Sequence, residues 1–342
     1  MADAFSRASL ITLAVIAVCG FLHWASVVFA PLVFALLIIA VLWPIQKALQ
    51  SQIGGLLALI VTLFFFVAVL VVLGSMVAWS LSRVGQALTN DTARLQALYD
   101  QLAVWLEGHG IAAGALISEH IDIGWYVRLV QSLAARLHST LSFWLIVIVY
   151  TALGLLEMGD FKAAVLQLRN SEIARVLSVG STEMSARIRS YFVVRTQMSV
   201  LTGLLVFGVT TALGLPLAKE WGVLAFVLNY IPFLGSMFAT LFPTVYAIAE
   251  FQSWEAPLLV FLLLNVIQIA VGSYIEPRVT GSALSISPLL VIFSVFFWGY
   301  MWGIFGAFVG VPISIAILTY CEQSASTRWV KDLFGGGAGR TP

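Results

Sequence analysis

Long apolar runs separated by short polar turns set the plan of this chain. The runs fall at about 8–30, 31–43, 54–80, 141–158, 191–213, 221–249, 255–274 and 288–320. Most approach or exceed the roughly 20 residues an α-helix needs to cross the hydrocarbon of a bilayer. The first run is longer than a signal-peptide core and leads straight into the next, so it reads as a retained span. Pro31 opens a short second run, and Pro44, Gln46 and Lys47 form a polar turn after it. The first two runs could therefore pair as a tight hairpin. The pattern predicts an all-α integral membrane protein with about eight transmembrane helices, some of them interrupted or re-entrant.

Between residues 81 and 140 the pattern changes. Charged residues alternate with apolar ones at helical spacing (Val84, Leu88, Leu95, Leu98, Leu102, Trp105), and Gly108 and Gly110 follow. Asp122 is a candidate N-cap for a second helix. This stretch reads as an extramembrane helical hairpin. Residues 159–190 form a basic linker helix that Asn170 or Ser171 can cap, with Arg195 near enough to the end of the next run to snorkel. Pro216, Lys219 and Glu220 form a loop. The resulting divisions are 1–80 (first spans), 81–140 (helical hairpin), 141–158 (span), 159–190 (linker), 191–320 (C-terminal core) and 321–342 (tail, partly disordered).

Three interruptions carry the candidate chemistry. In 221–249 the sequence Asn229-Tyr-Ile-Pro232-Phe-Leu-Gly235-Ser236 breaks the run. Proline removes a donor and clashes with the preceding turn, and paired Gly/Pro-broken segments point to a transport site. In the run from 255, Asn265, Gln268, Gly272 and Glu276 fall within one arc at about 100° per residue. Polar groups at this depth face a cavity or a protein interior. The helix is expected to stop at Glu276-Pro277, because the residue before a proline is pushed out of the α region. Glu276 either titrates in a transport path or pairs with Arg278 at the membrane edge, and Asn265 and Gln268 either glue helices or line the path. In the last run, Gly299, Gly303, Gly306 and Gly310 share a face if the helix is continuous, a close-packing pattern. That run is long for one span, so a bent helix or a hairpin is also open. His23, Trp298, Tyr300 and Trp302 read as interfacial or packing aromatics.

Composition narrows the class. Of 342 residues, 61% are hydrophobic and only 10% charged, against near 25% charged in soluble domains. A net charge of +1 leaves no nucleic-acid footprint. Cys19 and Cys321 lie at opposite ends, and the four histidines form no metal-ligand spacing, so no metal, cofactor or catalytic motif is expected. With the N-terminus inside, the inner side holds Arg7, Lys47, Lys162, Arg169, Arg175, Arg187, Arg189, Arg195, Arg328, Lys331 and Arg340. The outer side holds Arg83, Arg94, Arg128, Arg136, Lys219 and Arg278. This imbalance predicts cytoplasmic termini.

LAFVLNYIPFLGSMFATLFPTVYA and YIEPRVTGSALSISPLLVIFSVFFWGYMWGIFGAFVGVPISI resemble the autoinducer-2 exporter family of bacterial membrane proteins. The shared features are the N-Y-I-P-x-x-G-S break, the E-P-x-x-x-G loop followed by Pro, and the W-G-x-x-W-G-x-x-G run ending V-P. The match is close over about 187–320 and one of layout before that. The resemblance implies an inner-membrane exporter of about eight spans, assembled as a homo-oligomer, with a pentamer as the suggested form. It implies no catalytic residues. Members are linked to export of autoinducer-2 and, in other cases, to sodium or lithium/proton antiport. The expected partners are therefore the lipid bilayer and a small polar solute or cation. An oligomeric scaffold or gated pore is the third reading; it would not need the polar stripe.

Overall fold

The computed structural model describes residues 2–90, 141–251, 254–280 and 286–335. In order, the helices are α1 (Ala2–Trp24), α2 (Ser26–Ile53), α3 (Gly55–Asn90), α4 (Leu141–Leu166), α5 (Ser171–Ala212), α6 (Ala218–Leu228), α7 (Leu234–Phe251) and α8 (Glu255–Ile269). A π-helical turn (Ala270–Ile275), α9 (Glu276–Thr280), α10 (Pro288–Gln323) and α11 (Arg328–Phe334) follow. The described residues are all-α, and seven of their helices are long and apolar enough to cross a membrane. Most of the expected extramembrane hairpin, residues 91–140, lies outside the described residues; residues 81–90 simply continue α3.

Several boundaries differ from the sequence expectation. The first break falls at Ala25 rather than at Pro31, and α2 runs through both Pro31 and Pro44 to Ile53. A proline costs one helical hydrogen bond locally, but Gln46 just beyond Pro44 is buried and tied down. Oriented so that its donors meet acceptors, its amide bonds Thr62 Oγ1, Ala58 O and the Leu59 N–H. The turn comes instead at Gly54, where φ is +83°, a conformation glycine adopts without a side-chain clash. The fourth span does not close at Gly159 and Asp160 but continues in α4 to Leu166. Only the part of the basic linker from Ser171 on joins the fifth span in one 42-residue helix, α5, whose first turn is capped by Asn170 Oδ1 accepting from the Glu172 and Ile173 N–H groups. Lys219 and Glu220 are not in a loop: α6 starts at Ala218, and Glu220 is buried and paired with Arg83 at 3.4 Å.

The chain divides into two compact units. The first comprises residues 1–66, 142–191 and 282–342. It contains an aromatic cluster in which Phe143 stacks on Phe305 at 4.1 Å and Phe34 meets both, with Phe308 beside it. Its last long helix, α10, is not continuous. Trp302 (φ −132°, ψ 19°) and Gly303 (φ 66°, ψ −147°) leave the helical region, and the chain then folds back on itself. A Cβ on Gly306 would collide with the Trp298 carbonyl oxygen, and one on Gly310 would lie 2.6 Å from the Ser294 carbonyl oxygen. Ser294 and Ser314 hydroxyls meet at 2.5 Å across the same seam. The glycines at 299, 303, 306 and 310 thus do not form one face of a straight helix; Gly303 forms the bend at positive φ, and Gly306 and Gly310 let the two arms touch. The tip is held by α1: Trp302 Nε1 donates to Leu22 O at 3.1 Å, and His23 Nδ1 lies 3.1 Å from Met301 O. Part of the expected tail is folded. Helix α11 is fastened by Lys331 to Glu322 and by a Ser287 N–H donated to Phe334 O.

The second unit comprises residues 67–141 and 192–281. Here α6 and α7 form another antiparallel hairpin: Trp221 and Tyr246, far apart in sequence, have ring centroids 5.6 Å apart. Helix α6 has 11 residues, about 16 Å, roughly half the hydrocarbon thickness. The tip, residues 229–233, is non-helical, with Phe233 in the left-handed region at φ 62°. A Cβ on Gly235 would collide with the Leu228 carbonyl oxygen. Helix α5 meets α6 glycine to glycine, since a Cβ on Gly203 would lie 2.8 Å from Gly222 O and one on Gly222 2.9 Å from Gly203 O.

Gly306→Ala and Gly235→Ala each force a methyl group into a backbone oxygen that cannot swing away. Each is expected to cost about 1–3 kcal/mol or more, read as a fall in thermal unfolding temperature in detergent. Gly208→Ala, with open space around its Cβ, should be neutral or stabilising.

Candidate functional site

The second unit buries an ion pair among apolar helices. Arg195 of α5 is 6% exposed. Its Nη1 donates to Glu276 Oε1 at 2.7 Å, and the Glu276 side chain is 27% exposed. The guanidinium does not snorkel to a helix end, and the partner of Glu276 is Arg195, not Arg278. Arg278 instead lies over the Tyr274 ring at 3.7 Å. Arg195 keeps a spare donor: its Nε is buried without a hydrogen-bond partner.

Helix α5 presents this pair because of its own spacing. Arg195, Ser199, Thr202, Val206 and Thr210 recur every three or four residues and are all buried, so they share one face. The tip of the α6–α7 hairpin meets that face. Asn229 Nδ2 donates to Ser199 Oγ at 3.3 Å, and Thr196 Oγ1 and the Tyr230 hydroxyl are 2.9 Å apart. The unwound tip thus gives its polar side chains to α5 rather than to lipid, which would leave them unsatisfied.

Glu276 is delivered by a change of helical pitch. The expected stop at Glu276-Pro277 does not occur, because Ala270–Ile275 widens into a π-helical turn, with the Glu276 N–H donated to Val271 O. The wider ladder leads straight into α9 and absorbs the donor that Pro277 lacks. Glu276 itself is α-helical (φ −55°, ψ −48°).

The remaining sequence candidates scatter. Asn265 donates its amide to Phe261 O at 2.8 Å within its own helix. Gln268 has a buried, unpartnered Nε2. Ser236 Oγ donates to Phe233 O at 2.9 Å and closes the tip locally; Pro232 and Gly235 shape that tip. The buried face of α8 is Val260, Leu264 and Ile267, continued by Val271 of the π-helical turn. The predicted stripe at 265, 268, 272 and 276 therefore flanks that face. The sequence reading left Arg195 out of the candidates, although a signal was present: Arg195, Ser199 and Thr202, spaced by four and three in an apolar run, form a polar stripe like the one at 265–276. Among the described residues no cluster of His, Cys, Asp and Glu could hold a metal ion.

Chemically, a guanidinium with a spare N–H beside a partly exposed carboxylate can exchange partners with a solute that offers oxygen acceptors or hydroxyl donors. The comparisons with known proteins fit a membrane carrier. The model of a family described as "AI-2E family transporter" matches residues 10–326. The chain is 27% identical over 313 residues, 91% of it and 90% of the relative, to the "AI-2 transport protein TqsA" of Escherichia coli. It is 34% identical over 155 residues to a "Putative transport protein" of Borreliella burgdorferi, covering 44% of this chain and 42% of that one. A "Putative transport protein" of Haemophilus influenzae is 32% identical over 145 residues, 42% of this chain and 41% of the relative.

Removing one partner of a buried pair strands the other charge, which costs about 3–5 kcal/mol when burial is complete. Glu276→Gln strands the buried Arg195 and should fall near that range, whereas Arg195→Gln strands a carboxylate that is partly exposed and should cost less. The double variant Arg195→Gln/Glu276→Gln should recover most of the loss. Thermal unfolding of all four proteins in one detergent measures the coupling.

Proposed function

The chain belongs to the AI-2E family of transporters, and on that footing we propose that it exports a small polar solute such as autoinducer-2 along a path that includes Arg195 and Glu276. The observation that carries this reading is the pairing of buried Arg195, whose Nε has no partner, with the partly exposed Glu276. A buried ion pair is poor value for stability, because desolvation offsets its Coulomb attraction. Ionisable groups inside membrane helices more often mark a solute or ion path. The Asn229 tip beside the same face of α5 supplies the broken backbone that transport sites in membranes use. The contact with Arg195 weighs against Glu276 as a sodium or lithium ligand, since a carboxylate neutralised at 2.7 Å is not free for a cation.

We place the protein in the inner membrane of a bacterium, as a homo-oligomer, with both termini in the cytoplasm. The asymmetry of Lys and Arg supports the orientation. With Cys19 and Cys321 replaced, single cysteines at Ala112 and Thr341 should label from opposite sides of sealed cells. Labelling from one side would remove this topology.

The transport reading is tested in sealed vesicles with candidate solutes, with and without an imposed pH gradient. The informative protein is Arg195→Gln/Glu276→Gln, which removes both charges while leaving no stranded ion. It should keep the yield and most of the unfolding temperature of the wild type yet lose most of the transport rate. Transport equal to the wild type would return the pair to a purely structural role.

A further inference from the structure

In the first unit, three cations from three helices gather at one turn of α2, and none of them forms an ion pair among the described residues. Lys162 of α4 places its Nζ 4.8 Å from the centre of the Trp43 ring. Arg189 of α5 donates from Nη1 to Ala40 O at 3.0 Å. Ala40, Trp43 and Lys47 succeed one another by three and four residues on α2, so they share a face. Lys47 and Arg189 both lie within Coulombic reach of Lys162.

The ion pairs of this unit, among the described residues, join Arg187 to Glu183 and Glu322, and Lys331 to Glu322. None involves Lys47, Lys162 or Arg189. Lys47 and Lys162 are exposed and Arg189 is half-buried, so the cluster is open to a ligand. Like charges held together without a counter-ion repel one another, and an anion placed among them would remove that cost. One turn back along the same face of α2, Leu36 is exposed and apolar, as is Phe161 beside Lys162 on α4. Cations above an apolar, outward-facing wall with a tryptophan at the boundary match a phospholipid: phosphate at the top, acyl chain below.

We propose that Lys47, Lys162 and Arg189 bind the phosphate of an anionic phospholipid, with Trp43 and Leu36 against its glycerol and upper acyl carbons. The ligand is taken from the bilayer rather than from solution, because the apolar wall adjoins the cations. The site is independent of the Arg195–Glu276 pair.

The test is native mass spectrometry of the detergent-purified protein, titrated with phosphatidylglycerol and with phosphatidylcholine of the same acyl chains. The wild type should retain phosphatidylglycerol in preference. Lys47→Gln/Lys162→Gln should lose roughly fivefold of that preference per cation. This variant leaves the Arg189–Ala40 contact in place, so the fold is not at stake. Arg169→Gln/Arg328→Gln removes the same net charge elsewhere and should keep the preference. An unchanged preference in the first variant, or an equal loss in both, overturns the site. Displacement of the lipid by millimolar inorganic phosphate would make it a free-anion site and overturn the lipid assignment.

Discussion

Hydrocarbon offers no hydrogen bonds, so every backbone group at membrane depth must be satisfied by the protein itself. That constraint explains both hairpins. At residues 229–233 and at Trp302–Gly303 the helical ladder is broken, and each break is folded against protein. At each, a glycine just past the tip, Gly235 or Gly306, lets the returning arm lie on a carbonyl of the outgoing one. Any side chain there would hold the arms apart and open the backbone to lipid. The two hairpins share further features: a first arm too short to span, a residue at positive φ at the tip, and a proline, Pro243 or Pro312, inside the second arm.

The same constraint governs the charged groups. Arg195 and Glu276 could each be tolerated alone only near water. Paired at 2.7 Å, they leave Arg195 buried and Glu276 partly exposed in the second unit. The π-helical turn at Ala270–Ile275 lets this happen without ending the helix at Pro277. Helix irregularity and buried charge are therefore one feature here: the wide turn sets the register at which the carboxylate meets the guanidinium.

Family membership and this geometry converge on a carrier from different directions. The family model covers nearly the whole chain, whereas the ion pair and the unwound tip rest on local chemistry alone. The first unit contributes a different kind of surface, in which Lys47 and Lys162 are exposed beside a half-buried Arg189.

How much of this was legible in the sequence follows from the range of each interaction. The apolar runs determined the all-α membrane class, because burial in lipid depends on composition over about 20 residues. The Asn-Tyr-Ile-Pro-x-x-Gly-Ser break was legible for the same local reason: proline and glycine act on their own turn. Helix ends were read less well. Pro44 and Pro277 looked like stops, yet α2 and the α8–α9 segment pass through them, since tertiary bonds at Gln46 and a π-helical turn absorb what proline removes. The partner of Glu276 was not legible at all. Arg278 is two residues away and Arg195 is 81, and nothing in the spacing of either stripe says which helix will pack against which. That choice, like the folding back of α10 at Trp302, depends on contacts between residues distant along the chain, and only the tertiary structure decided it.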